Sequence, residues 1–443
     1  MLIFIFLLMV LYFMTMIQYP KIGVAIYITT LLIWPSYAVV VDESGLGVNP
    51  QRIMILIAST VWISHIVLST SYRDSLLGII RPHQKLWWAI LAFFAIGIIS
   101  GTFSTFDSRQ ATVAALNQFL FIPISALLVL TYFHTAEEAK KVLFLLVSLA
   151  LIVELAGIKE WMDQEHLLVR YVDPTNEYAA KILEGRFRGD DYRITTVFDN
   201  PLTYAQFLVF IFPIGLYFLL HGQTLLVRSI SLLQVLLTPL NLAATGSRAG
   251  LALFILSVLM LGILFTKAIK NQNKIKINLV LFVIAFVILL ATGIGEAIWT
   301  GENEEGLASS KARIYQLEKG IDAIQDSPLL GHGVYQALNY YKAVESTDNY
   351  YLSAATERGL AGLAIYLYFH ITIIRMLKKC APREDRTDTV ILGKFFLASF
   401  FTLFAFELVL SLVEIFSFAY IALAMLFVIE NSEYSKHRNR VSL

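Results

Sequence analysis

The chain has 443 residues, of which 57% are apolar, 15% charged and 13% aromatic, and its mean hydropathy is +0.69. Soluble domains carry about 25% charged residues, so this balance excludes a water-soluble enzyme, a disordered polyelectrolyte and a nucleic-acid binder, and puts the chain in a membrane. The net charge is only +1, so what matters is where the charges sit; the lone Cys380 rules out an internal disulfide and a multi-thiolate metal site.

A helix needs about 20 apolar residues to cross about 30 Å of hydrocarbon. Runs of that kind fall at 1–17, 22–41, 53–69, 86–103, 112–133 and 142–158. They recur at 202–220, 224–243, 249–266, 277–298, 359–377, 391–410 and 415–429. Backbone amides need partners in lipid, and the runs are too long and unalternating for barrel strands, so helices are predicted. The expected fold class is all-α, a polytopic transmembrane helical bundle of about 12 spans, or one more if the first run crosses fully. No charged stretch precedes that run and no small-residue cleavage pattern follows it, so it reads as a retained segment. Neither an internal repeat nor a low-complexity stretch is visible.

Lys and Arg gather in alternate short loops. The groups are Arg73, Arg81 and Lys85; Lys140 and Lys141; Lys267, Lys270, Lys274 and Lys276; Lys378, Lys379, Arg383 and Arg386; and Lys436, Arg438 and Arg440 in the tail. By the positive-inside rule these are cytoplasmic, and the two long loops at 159–201 and 301–358 face outward. The C-terminus is then inside; the first residue is outside if 1–17 spans, and inside if that run is re-entrant or tilted. The chain divides into N-terminal transmembrane helices (1–158), an outward loop with an arginine cluster (159–201), central helices (202–298), a large outward loop with an amphipathic helix (299–358), and C-terminal helices with a cytoplasmic tail (359–443).

Ionisable residues within spans cost free energy, so they seek a cavity, a partner or the interface. His65, Arg228, Arg375 and Lys394 lie near cytoplasmic span ends and Glu296 near an outer one, where each can reach the interface. Glu154 and Glu407 either line a polar cavity or bond across helices, and His370 reads as a hydrogen-bonded core residue. No metal-ligand spacing such as His-Glu-x-x-His occurs, so neither a metal nor another cofactor is expected.

The outward loops carry the chemistry. In the first, Arg186, Arg188 and Arg193 lead to Asn200-Pro201, where the chain re-enters the bilayer. Guanidinium forks there suit the phosphates of a lipid carrier; alternatively Asp190 and Asp191 neutralise Arg186 and Arg188. A tight connection follows at Thr245-Gly246-Ser247-Arg248-Ala249-Gly250. Gly246 suits a sharp turn and Ser247 a helix cap. Arg248 stands at the positive end of a helix dipole, a place that makes most sense beside a bound anion.

In the second long loop, Ile314, Leu317, Ile321 and Ile324 recur at helical spacing behind a serine cap at Ser309-Ser310, with Lys311 and Arg313 in the first turn. That helix is expected to lie on the outer membrane surface with its apolar face down. Ser327-Pro328-Leu329-Leu330-Gly331-His332-Gly333 then makes a glycine-bracketed turn. Thr347-Asp348-Asn349-Tyr350-Tyr351-Leu352 opens a helix that runs through Glu357-Arg358-Gly359 into the bilayer.

Taken together, Arg193 with Asn200-Pro201, the Thr-Gly-Ser-Arg-Ala-Gly turn, Arg313 ahead of Ser-Pro-Leu-Leu-Gly-His-Gly, and Asp-Asn-Tyr-Tyr-Leu before Glu-Arg-Gly-Leu-Ala-Gly-Leu resemble the O-antigen ligase and Wzy-type polymerase superfamily. The resemblance covers about residues 190–365. It implies a bacterial cytoplasmic-membrane glycosyltransferase of the cell envelope whose active site faces outward. Its donor would be a glycan on undecaprenyl diphosphate and its acceptor lipid A core, another lipid-linked repeat, or a protein hydroxyl. A chain-length regulator is a further partner the resemblance allows. The arginines matching Arg193 and Arg248 would hold the diphosphate, and Asn349 matches the family's Asn. Ligases have a His just before that Asn, where this chain has Asp348; the departure favours a polysaccharide polymerase over a ligase.

Displacing a diphosphate from an anomeric carbon builds negative charge on the leaving oxygens, which fixed cations stabilise. Arg193 and Arg248 would do so, with Arg313 or Lys311 assisting. The attacking hydroxyl must lose a proton to a carboxylate or imidazole. Asp348 is the candidate and His332 the reserve, although Thr347-Asp348 is also what a helix cap looks like. Tyr340, Tyr341, Tyr350 and Tyr351 either stack on sugar rings or anchor the interface. The rival classes are a polysaccharide transporter or flippase, whose site would lie on broken helices near the bilayer midplane, and a non-catalytic scaffold.

Overall fold

The computed structural model describes residues 2–35, 37–38, 49–168, 187–188, 191–266, 304–336, 339, 341, 347–380, 388–411 and 413–441. The chain is all-α, with a two-residue-per-strand hairpin of β1 (Phe187–Arg188) and β2 (Asp191–Tyr192) as its one departure among those residues. Among the described residues, ten helices are long and apolar enough to cross a membrane. They are α3 (Pro50–Leu68), α4 (Thr70–Thr102), α5 (Ser108–Tyr132), α6 (Ala136–Asp163), α7 (Pro201–His221), α8 (Leu225–Ala244), α9 (Arg248–Thr266), α11 (Tyr350–Cys380), α12 (Asp388–Phe406) and α13 (Phe416–Val441). Two shorter apolar helices, α1 (Leu2–Gln18) and α2 (Pro20–Ile33), precede them, and α10 (Glu304–Asp326) carries the second long loop. The apolar run at 277–298, with Glu296, lies outside the described residues.

Helix starts follow the capping rule, in which a short polar side chain accepts from a first-turn N–H. Asn49 accepts from Arg52, Asp107 from Gln110, Asn200 from Leu202 and Thr224 from Val227. Thr135 and Glu138 form a reciprocal capping box. Two starts differ from the sequence expectation. The serines at 309 and 310 lie inside α10, which begins at Glu304. The stretch before the fourth span is helical from Thr70, passing through a tight turn at Arg81–His83 whose proline sits where its missing N–H costs least.

α7, α12 and the first half of α13 are buried almost all round and form the centre; α3 and α8 expose one face, as lipid-facing helices do. α7 packs on α8 and α12, α6 on α8, and α4 on α11. Polar pairs join the spans in place of water. Ser399 donates to the Phe210 carbonyl at 2.8 Å, Tyr204 to Asn241 at 2.9 Å, and Thr238 and Gln234 to one oxygen of Glu154 at 2.7 and 3.0 Å. Glu154 therefore bonds across helices. Glu407 instead faces a histidine of another helix, its Oε2 3.1 Å from His370 Nε2, while His370 Nδ1 donates to the Tyr366 carbonyl at 2.8 Å.

The bundle has two distinct ends. At the basic end Lys21 pairs with Glu138, His83 lies 3.5 Å from Glu430, and Thr389 donates to Glu433. At the opposite end Tyr37 bonds to the Thr196 carbonyl, Ser104 to the His332 carbonyl, and the Asp107 N–H to Gln336. The described parts of both long loops thus meet this second end, which we call the site end.

Candidate active site

Two corners make up the site end. The first is a turn between α8 and α9. Gly246 there has φ +61°, a conformation that disfavours a side chain. Ser247 caps α9 by accepting from the Gly250 N–H at 3.0 Å. Arg248 is the first residue of α9 and is exposed. The segment after β2 lies along this turn: the Ile194 N–H donates to the Ala244 carbonyl at 3.2 Å, and Arg193 Nε to the Thr245 carbonyl at 2.7 Å. A Cβ on Gly246 would stand 3.1 Å from Arg193 Nε. Arg193 and Arg248 are therefore drawn to one turn, and the glycine leaves room for the first to lie over it.

That segment is itself anchored from below. The buried Glu160 carboxylate accepts from the Thr195 and Thr196 N–H groups at 2.9 and 3.0 Å and from the Tyr192 hydroxyl at 3.2 Å. Burial, with the Glu160 carboxylate beside it, holds the Tyr192 phenol well above its ordinary pKa, so it stays a donor. Thr196 sits at φ +55°, a strained value for a branched residue, with its carbonyl accepting from buried Tyr37 at 3.1 Å. Glu160 escaped the sequence reading; an acid ending a long apolar helix was the available signal.

The second corner is built on a broken helix. α11 is interrupted at Gly359, whose φ and ψ of 68° and −179° suit glycine alone. The Pro328–Gly333 turn enters the break and takes up the backbone groups it frees. His332 N–H donates to the Thr356 carbonyl, Gly333 N–H to that of Glu357, and Leu360 N–H to that of Pro328, at 2.8–2.9 Å. A Cβ on Gly359 would lie 2.1 Å from the Leu329 carbonyl oxygen, and one on Gly331 (φ +69°) 2.5 Å from the Glu357 backbone. These glycines explain why the turn is bracketed by them. Ser100, in the last turn of α4, donates to the Glu357 carbonyl at 2.6 Å, so the break sits at the site end.

Below the break Glu357 and Arg358 are both buried and paired at 2.8 Å. Arg358 also reaches Gln118 and lies 4.6 Å over the Phe93 ring, while Glu357 accepts from the Tyr335 N–H at 3.0 Å. The sequence pattern contained this pair without suggesting any role for it.

Asp348 stands at the head of α11. The helix is capped by Asn349, which accepts from the Leu352 N–H at 3.0 Å, and not by Thr347 or Asp348. Asp348 is thus relieved of capping; its N–H donates to Gln316 of α10 at 3.0 Å and its carboxylate lies 3.9 Å from Arg313 Nε, both side chains partly exposed. Gly320 lets α10 approach α11 here, since a Cβ on it would meet Leu352 at 2.7 Å. On α10, Gln316, Gly320 and Ala323 face inward while Ile314, Leu317 and Ile321 form an exposed apolar stripe. The Lys311 side chain, Arg186, Asp190 and Tyr340 lie outside the described residues.

His332 is buried, its Nε2 donating to the Ala323 carbonyl at 2.9 Å. It ties the end of α10 to the break. Tyr341 and Tyr350 are buried and the Tyr351 hydroxyl donates to the Phe404 carbonyl at 3.0 Å, so these rings belong to the packing.

Residues 232–367 match the family model described as O-antigen ligase. Over that segment the chain is similar to the O-antigen ligase family. The match takes in Arg248, Lys311, Arg313, His332, Asp348 and Asn349, and leaves out Arg193. No curated protein matches the chain. The match supports the O-antigen ligase and Wzy superfamily and a ligase- or polymerase-type membrane function; the family implies lipid-linked glycan substrates.

Proposed function

We propose that the protein is a glycosyltransferase that polymerises surface polysaccharide from repeats carried on undecaprenyl diphosphate, on the outer face of a bacterial cytoplasmic membrane. The observation that carries this reading is the convergence of Arg193 and Arg248 on one glycine turn at the end that also holds Asp348. An acceptor hydroxyl attacks the anomeric carbon and gives its proton to the Asp348 carboxylate. The bond from that carbon to the diphosphate oxygen breaks, and the charge left on the diphosphate meets the two guanidinium groups and the positive end of α9. Arg313, and Lys311 two residues earlier on α10, assist; His332 steadies the turn in the broken helix and is the reserve acid or base. Asn349 orients Asp348 by capping the helix behind it. No metal is required for these steps.

Asp348 in place of a ligase histidine favours a polymerase. A transporter would put its helix break near mid-span, whereas the break at Gly359 is level with the last turn of α4. The test is transfer between lipid-linked repeats by the purified protein in nanodiscs. Polymer that depends on Arg193, Arg248 and Asp348 supports the reading; translocation of the lipid-linked glycan without a new glycosidic bond refutes it.

A further inference from the structure

Between the two corners a cavity of about 220 Å³ opens among the end of α2, the start of α3, the middle of α5, the 197–198 segment and the start of α13. Two of its walls continue the corners already described. Val197 and Phe198 directly follow the strained Thr196 beyond Arg193, and Phe416, at the start of the helix that contributes Ser417 and Phe418, packs 5.4 Å from Tyr350, two residues after Asp348.

The lining combines three kinds of group. Four amides, Asn49, Gln51, Asn117 and Gln118, supply paired donors and acceptors. Two of them are held in place from behind: Gln51 Nε2 donates to the Leu31 and Trp34 carbonyls, leaving its Oε1 over, and Gln118 Oε1 accepts from Arg358. Trp34, Phe198 and Tyr335 add ring surface, with Tyr335 itself in a strained backbone conformation (φ +61°). Arg52 and Glu414 add one charge of each sign.

That chemistry discriminates among occupants. A polyprenyl tail would lay hydrocarbon against two charges and four amides and offer none of them a hydrogen bond. A phosphate would have to sit beside Glu414. An uncharged pyranose offers hydroxyls to carboxylate, guanidinium and amides around its edge and C–H surface to the aromatic rings. The volume lies below the roughly 300–1,000 Å³ of typical small-molecule sites, which sizes it for about one ring. We propose that this cavity is a subsite for one neutral sugar ring of the glycan, with Glu414, Arg52 and Asn117 reading its hydroxyls. The inference rests on the glycosyltransferase reading, which supplies a sugar at this end of the bundle.

The test uses the full chain in nanodiscs and saturation-transfer NMR with a panel of probes: the methyl pyranosides of glucose, galactose, mannose and N-acetylglucosamine, methyl glucuronoside, and inorganic pyrophosphate. At least one neutral glycoside should bind saturably, lose at least about tenfold in affinity in Glu414→Gln and in the near-isosteric Asn117→Asp, and be undisturbed by pyrophosphate. Binding of pyrophosphate or the glucuronoside alone, no binding by any neutral glycoside, or binding indifferent to both substitutions overturns it. Arg193→Ala separates the two readings. If it abolishes transfer and spares glycoside binding, both stand; if transfer survives, the catalytic reading fails whatever the cavity binds.

Discussion

The arginine corner and the aspartate corner are held by different means. Arg248 stands on a turn whose devices are local, a glycine at positive φ and a serine cap, and Arg193 is laid over it by bonds to the Ala244 and Thr245 carbonyls from a segment held by Glu160. Asp348 owes its place to contacts distant in sequence, with Gln316 and Arg313 on α10, and to a turn threaded into a helix break. The Tyr350 N–H also donates to the Glu407 carbonyl at 2.8 Å, and Ser353 lies 2.6 Å from Ser411. A charge needed at one spot can be placed by a turn. Under the proposed chemistry, the proton acceptor that must meet a second substrate is placed by docking two helices.

If the cation corner stabilises the leaving group, Arg248→Ala should lower turnover about 10²- to 10³-fold with the protein still folded, and the Arg193→Ala, Arg248→Ala double variant should fall further. Polymer yield per cell, read by gel against protein level, checks this; unchanged yield breaks the comparison at its root. At the other corner, Asp348→Asn should reduce turnover about 100-fold or more. Asp348→His should recover a measurable part of it, because an imidazole can also take the proton. Equal activity in Asn and His variants would make the carboxylate a partner of Arg313 only.

The break in α11 should be the costlier corner to disturb in stability. Arg358→Leu strands a buried carboxylate, at about 3–5 kcal/mol, and Glu357→Gln in the same chain should restore part of the loss in thermal unfolding. Gly359→Ala should cost about 1–3 kcal/mol from backbone strain, before the contact with the Leu329 carbonyl is counted. Glu160→Gln is the mildest: it keeps the fold, weakens the hold on Thr195 and Thr196, and should raise KM for the lipid-linked donor severalfold with a smaller change in kcat. A stability loss without a KM change would make Glu160 a packing residue only.

Much of the bundle was legible because lipid constrains it so tightly. Ten of the apolar runs are helices long and apolar enough to span, and the cap at Ser247 and the turns at Gly246, Gly331 and Gly333 stand where a short polar residue and glycines predicted them. The first run is a 17-residue helix and the second is shorter than expected, 14 residues, because Tyr19-Pro20 divides the two and α2 ends before Trp34. α10 begins before its serines, since continued helix-compatible sequence outweighed a local cap.

What the sequence determined by itself is therefore local or solvent-driven: the membrane, the helices, the turn at Gly246, and the gathering of basic residues in alternate loops. These depend on hydropathy and backbone sterics within a few residues. Only the tertiary structure decided that Asn349 caps the helix and leaves Asp348 to Arg313, that Glu160 carries the Arg193 segment, that Glu357 and Arg358 are buried beneath a break, and that four amides and two charges meet around one cavity. Those arrangements join residues tens to hundreds of positions apart, and buried polar groups take whichever partners packing brings within reach.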